Sequence, residues 1–216
     1  FTNKIIDNPK NVISVGVNAS SQINTIKKFS NNNLKRSIFL IPKTDYKKEI
    51  EFAINKTNIN YKEIFFYDKD PTKLTKQIEK LTRYSERKQR LNNEIKILEK
   101  SDKKNDKQRL DKLKKKDTLG GINFDSVVIA DFDESLKSVI TSLLYTDVSP
   151  KRITYITLNQ WFDKSLLKDE TLQPIYFPSI NKENYNLFVD EYYSTYQSNP
   201  NQLSFLGYDV IGLVYF

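Results

Sequence analysis

Ile38, Phe39, Leu40 and Ile41 follow one another with no polar residue between them, and that run limits the fold more than any other stretch of the chain. A strand with one wet face alternates apolar and polar residues, whereas an unbroken run needs cover on both faces, as in a parallel sheet between helices. Pro42 then opens a polar turn, after which Tyr46, Ile50, Ala53 and Ile54 recur at helical spacing. Residues 36–54 therefore read as strand, turn and helix.

Further units of the same kind flank this one. Val12–Val17 reads as a strand, and Asn18, Ala19, Ser20 and Ser21 as a polar turn that can cap a helix carrying Ile23, Ile26 and Phe29. Glu63–Tyr67 is a strand, and Pro71 suits the first turn of the helix after it. Asp125–Ala130 is a strand whose helix bears Leu136, Val139, Ile140, Leu143 and Leu144 and is expected to close at Pro150. Strands at Ile153–Leu158 and Ile175–Phe177 complete the series, and two helices, Glu183–Tyr196 and Gln202–Phe216, come after them. The expected class is α/β, a parallel sheet flanked by helices and joined by right-handed crossovers. Ligands of such sheets sit beyond the carboxyl ends of the strands. That rule collects Asn18–Ser21, Lys43–Tyr46, Asp131–Asp133 and Asn159–Trp161 into one polar rim with interleaved aromatics.

The composition removes whole classes of chemistry. With no cysteine and no histidine among 216 residues, the chain has no disulfide, no thiol or imidazole catalysis and no Cys or His metal ligand. No signal peptide is visible and no run approaches a membrane span; the start at Phe1 implies a cut or processed N-terminus. The formal charge of +8 is concentrated: Thr72–Lys116 holds 17 Lys+Arg against 7 Asp+Glu, and the remainder 18 against 20. Within that segment Leu74, Ile78, Leu81, Leu91, Ile95, Leu98, Leu110 and Leu113 form a narrow, interrupted apolar stripe. It fits one very long helix or, preferably, an antiparallel pair turning near Ser101–Asp106, projecting as a solvated hairpin that ends at Gly120 and Gly121. An Asn-, Lys- and Ile-rich composition, typical of AT-rich coding, raises lysine without any partner demanding it. A single aromatic, Tyr84, interrupts the basic segment, which gives no stacking readout of nucleic acid, so nucleic acid is not expected as a partner.

Val127–Leu136, VVIADFDESL, ends a strand in Asp-x-Asp and looks like the nucleophile motif of haloacid-dehalogenase-type phosphatases. The position late in the chain and the lack of a downstream acidic pair depart from that pattern. The simpler expectation is that Asp131 caps the helix while Asp133 and Glu134 favour its positive end. The five glycines form neither a dinucleotide fingerprint nor a phosphate-binding loop, so no cofactor and no metal are expected.

The ordered series resembles the type I periplasmic-binding-protein fold and, within it, the penicillin-binding-protein activator family, relatives of the amino-acid-binding (Leu/Ile/Val-binding-like) receptors of ABC transporters. The stretches that carry the resemblance are Phe1–Asn3, Val15–Val17 with the helix from Ser20, Ile38–Tyr46, Phe124–Phe132, Leu158–Asp163, and Phe188–Tyr196 followed by Pro200 and Leu206–Asp209. Lys47 departs from it, standing where that family has glycine after the turn tyrosine. The resemblance implies that residues 13–178 are the second of two lobes, with a charged helical insertion at about 72–119, and that 1–12 and 179–216 belong to the first. It implies a non-enzymatic protein of the periplasm or cell envelope, with any membrane attachment made through a lipid anchor outside this chain, as in an outer-membrane lipoprotein. Two functions are compatible with it. One is an activator-like interaction protein that contacts a peptidoglycan synthase, the reading the sequence favours. The alternative is an ABC transporter receptor that works with a permease and holds an amino-acid-like ligand through Asn18, Ser20, Tyr46, Asp131, Asn159 and Trp161.

Overall fold

The computed structural model describes residues 17–31, 36–160, 166 and 168–215. The expected strand at 12–17, apart from Val17, and Trp161 lie outside the described residues, as do the resemblances at Phe1–Asn3 and at Val15 and Gly16. The strands are β1 (Ser37–Pro42), β2 (Glu63–Tyr67), β3 (Ser126–Ile129), β4 (Thr154–Thr157) and β5 (Ile175–Tyr176). They form one sheet, all parallel, in the order β2-β1-β3-β4-β5. The helices are α1 (Ala19–Phe29), α2 (Lys47–Thr57), α3 (Pro71–Thr82), α4 (Tyr84–Leu98), α5 (Lys104–Leu113), α6 (Asp133–Tyr145), α7 (Lys182–Tyr196) and α8 (Gln202–Tyr215).

The apolar run of β1 is covered on both faces, as its lack of alternation requires. Phe39 and Ile41 face a cluster with Ile23 and Ile26 of α1 and Ile50, Ala53 and Ile54 of α2. Ile38 and Leu40 face the opposite cluster, built with Leu74 and Ile78 of α3 and Leu136, Val139, Ile140 and Leu143 of α6. Each of these β1 side chains is fully buried, and burial of such a side chain stabilises the fold by about 1.5–3 kcal/mol. Because β2 lies on one side of β1 and β3 on the other, the winding reverses between β1 and β3. A crevice at the carboxyl ends of these two strands is where such a sheet accepts ligands.

Local signals set the helix starts. Asn18 accepts the Ser21 amide at 2.8 Å as the cap of α1. Asp70 accepts the amides of Thr72 and Lys73 at the start of α3, with Pro71 as the first helical residue.

Three expectations need correction. The segment from Pro71 is neither one long helix nor a simple pair. Arg83, at φ 53°, breaks it into α3, which covers the sheet, and α4, which pairs with α5 through residues 99–103. The hairpin has a small core of its own, Leu91, Leu98 and Leu113, and ends at Leu113 rather than at the glycines. The helix after β3 stops at Tyr145, not at Pro150. Asp147 adopts φ 56°, and the amides of Asp147 and Val148 return to the carbonyls of Leu144 and Leu143, a double closure that ends the helix before proline is reached. Finally, Asp131 is not the helix cap: that position belongs to Phe132, which makes no side-chain cap bond.

The base of the hairpin is tied to the body by one buried cation. Arg87, 2% exposed, donates from Nε to the Thr82 carbonyl at 3.0 Å, from Nη1 to the Thr118 hydroxyl at 3.2 Å and from Nη2 to the Thr146 carbonyl. Thr118 in turn donates to Asp147 at 2.5 Å, and Asp147 also accepts Arg152 at 2.8 Å. At the other end of the chain, Phe188 of α7 stacks edge-on against Phe205 of α8 at 5.2 Å and lies 5.1 Å from Tyr208.

Candidate functional site at the carboxyl edge of the sheet

Four turns reach the carboxyl edge, each delivered there by a short connection from a strand or to a helix. Asn18 and Ser20 open α1, Tyr46 immediately precedes α2, Asp131 comes after β3 and Asn159 after β4. Side-chain contacts link the turns. Gln22 of α1 accepts the Asn159 amide at 2.7 Å, and Gln160 donates to the Asp131 carbonyl at 3.2 Å and to that of Leu158 at 2.9 Å. The ring of Tyr46 lies 6.0 Å from that of Phe132. Five of the six residues expected at the site are thus described on one edge; Trp161 is outside the described residues.

Their surroundings differ sharply. Asp131 is 2% exposed, and both carboxylate oxygens are occupied by internal donors. Oδ1 accepts Lys69 Nζ at 3.0 Å and the Phe132 amide at 2.9 Å; Oδ2 accepts the hydroxyls of Tyr67 and Ser135, each at 2.5 Å. This carboxylate welds the ends of β2 and β3 to the first turn of α6. Tyr67 is held protonated well above the ordinary tyrosine range, first by burial and then by the neighbouring Asp131 charge. Tyr46 is shifted the same way by burial, with the Glu49 carboxylate adding to it. Asn18 spends its side-chain oxygen on the α1 cap, and Asn159 is buried. Ser20, in the first turn of α1, and Tyr46 are half-buried and face the edge with the least internal commitment.

Lys47 stands in the glycine position of the turn without strain. Tyr46 sits in the ordinary right-handed region, so the next residue simply begins α2 and no glycine is needed. Lys47 instead lays its ammonium 3.9 Å over the ring of Phe66. Sequence reasoning missed Tyr67, Lys69 and Gln22 as parts of this edge, and it placed Gln160 on the rim without assigning it a role. Extended to β2, the rule that gathers the turn residues beyond each strand reaches Lys69; nothing in the sequence pairs it with Asp131, 62 positions away. Among the described residues no group of three acidic side chains converges in a way that could hold a metal ion.

A parallel five-stranded sheet in this order with its turns gathered at one edge is a doubly wound α/β fold. The chain is similar in structure to a branched-chain amino acid ABC transporter periplasmic ligand-binding protein from Burkholderia xenovorans LB400, with a TM-score of 0.51 and 8% identity over 87% of this chain and 43% of that one. The chain therefore spans less than half the length of that neighbour, and at this identity the likeness establishes the fold alone. No family model and no curated protein sequence matches the chain.

Proposed function

We propose that this chain is one lobe of a non-enzymatic, extracytoplasmic solute-binding protein, closing on an amino-acid-like ligand at the carboxyl edge of its sheet. The observation that carries this reading is the gathering of Asn18, Ser20, Tyr46 and Asn159 from separate turns onto that edge, in a fold shared with a periplasmic ligand-binding protein. In this reading residues 13–178 form the second lobe, α7 and α8 belong to the companion lobe, and a membrane permease receives the ligand. Tyr46 supplies a stacking face and Ser20 a hydroxyl; Asp131, saturated by four donors, acts by holding the edge rigid. Among the described residues no helix is long and apolar enough to cross a membrane. A lipid anchor outside the chain would be the means of attachment.

The test is calorimetric titration of the complete two-lobed protein with a panel of amino acids. Saturable heat that Tyr46→Ala weakens at least about tenfold, the loss of roughly one stacking contact, supports the reading. Magnesium-dependent phosphatase activity abolished by Asp131→Asn overturns it.

One observation favours a second reading, an activator-like protein that contacts a peptidoglycan synthase and binds no small molecule. The most buried polar groups of the edge are already committed to each other, which leaves few for a ligand. Silence in the titration together with capture of a purified synthase selects that reading.

A further inference from the structure

We propose that the α4–α5 hairpin is a docking surface for an anionic phospholipid bilayer, with its distal tip as the contact. The hairpin has no part in the carboxyl-edge site. Residues 83–116 hold 14 Lys+Arg against 6 Asp+Glu, a net charge of +8, while the rest of the chain holds 21 of each sign. The whole excess of the protein is therefore carried on one appendage. With 15 residues in α4, the tip stands about 22 Å from the base of the hairpin. That is well beyond a Debye length of about 8 Å, so the tip, residues 96–107 with five Lys against three Asp+Glu, is screened from the charges of the body.

Ion pairs hold some of the hairpin's cations and leave others exposed, Lys88, Lys112, Lys115 and Lys116 toward its base among them. Arg83 and Arg90 lie on Glu86, Arg109 on Glu94 and Lys114 on Glu99, while Arg87 is buried at the base. At the tip, Lys96, Lys100, Lys103, Lys104 and Lys107 are exposed, and no ion pair holds them among the described residues. Of the acids beside them, Glu99 holds Lys114, Asp106 accepts the Ser101 hydroxyl, and Asp102 is exposed among the lysines. The tip thus offers lysine and no arginine: compact, flexible charges suited to a diffuse field of headgroups rather than the planar forks that clamp single phosphates. In the middle of these lysines Ile97 is 65% exposed. An aliphatic side chain ringed by lysines is the arrangement of an interfacial anchor, apolar group in the acyl boundary and ammoniums among the headgroups. Nucleic acid is the other large polyanion, but the single aromatic of the hairpin, Tyr84, is 8% exposed and packed against Tyr145, so no base can stack on it. The choice of bilayer over nucleic acid also rests on the extracytoplasmic reading proposed for the carboxyl edge.

Co-sedimentation of the full chain with vesicles tests the proposal. Phosphatidylglycerol–phosphatidylcholine vesicles are expected to bind it, pure phosphatidylcholine not, and added salt to release it. Each lysine at such a surface contributes roughly fivefold to partitioning, so reversing Lys96, Lys100, Lys103 and Lys104 to Glu lowers it by at least about a hundredfold. The same charge change at Lys28, Lys48, Lys56 and Lys182, away from the hairpin, leaves at least about a tenth of the partitioning in place. Ile97→Ser lowers it about threefold to tenfold without altering the salt dependence. Equal losses in the two quadruple variants, binding that ignores lipid charge, or tighter binding to double-stranded DNA than to the vesicles each overturns the proposal. The tip variants keep their amino-acid titration, so a failure here leaves the solute-binding reading standing, and a silent titration leaves vesicle binding to be judged alone.

Discussion

Replacing Arg87 by alanine probes the attachment of the hairpin directly. The guanidinium is buried and makes three charge-assisted hydrogen bonds, to the carbonyls of Thr82 and Thr146 and to the Thr118 hydroxyl. Thr118 keeps its bond to Asp147 in the variant, so the cost falls on two carbonyls that lose their only charged donor. At about 1–3 kcal/mol for each buried group left unsatisfied, the loss is about 2–5 kcal/mol, centred near 3. For a chain of this length that lowers Tm by about 6–12 °C. Urea unfolding and thermal melts read this, with Arg90→Ala as control: Arg90 is half-exposed and meets Glu86 only at 4.0 Å, so its loss is worth within about 0.5 kcal/mol. Arg87→Lys retains the charge and one bond and falls between the two. The base of the hairpin should also become the first site of trypsin cleavage in Arg87→Ala. Equal stabilities of Arg87→Ala and Arg90→Ala would refute the assignment of Arg87 as the anchor.

Asp131→Asn can turn its amide nitrogen only toward the Tyr67 and Ser135 hydroxyls, which can accept, because Lys69 and the Phe132 amide on the other side only donate; it loses the charge that these four groups share and destabilises by about 1–3 kcal/mol in denaturant unfolding. Tyr46, Tyr67 and Tyr155 are all raised above the ordinary tyrosine value near 10, chiefly by burial. The folded state holds these protons more tightly than the unfolded state. Their contribution is complete below pH 10 and is lost as pH rises above it, so stability falls there, less steeply in Tyr67→Phe. Gly120→Ala forces a side chain onto φ +103° with its Cβ 3.3 Å from Arg90 Nη1, and costs about 1–2 kcal/mol by thermal melt.

How much of this was written in the sequence varies by element. The β strands were legible because burial on both faces leaves unbroken apolar runs: Ile38–Ile41 and Val127–Ile129 carry that mark, and β2 matches its expected bounds at Glu63 and Tyr67. The break at Arg83 was not, since an arginine in the left-handed region carries no local signal; it is imposed by the burial of Arg87 and the packing of Tyr84 on Tyr145. The end of α6 was misplaced for a related reason: Asp147 at positive φ closes the helix through backbone bonds, and the conspicuous Pro150 stands beyond it. At the carboxyl edge the turns were legible from strand order, and their internal commitments were not. Asp131 meets Tyr67 and Lys69 only because the sheet places β2 two strands from β3 with α6 starting between them, a relation no linear spacing records.

Thr82 and Thr118 both touch the same guanidinium, so the points where the hairpin leaves and rejoins the body are no farther apart than one side chain can span. To the rest of the molecule, residues 84–117 amount to a tight loop closed at its neck, whatever their length. The β2-to-β3 crossover is completed by α3 alone, and the arm can be shortened, exchanged or grafted elsewhere without re-threading the sheet.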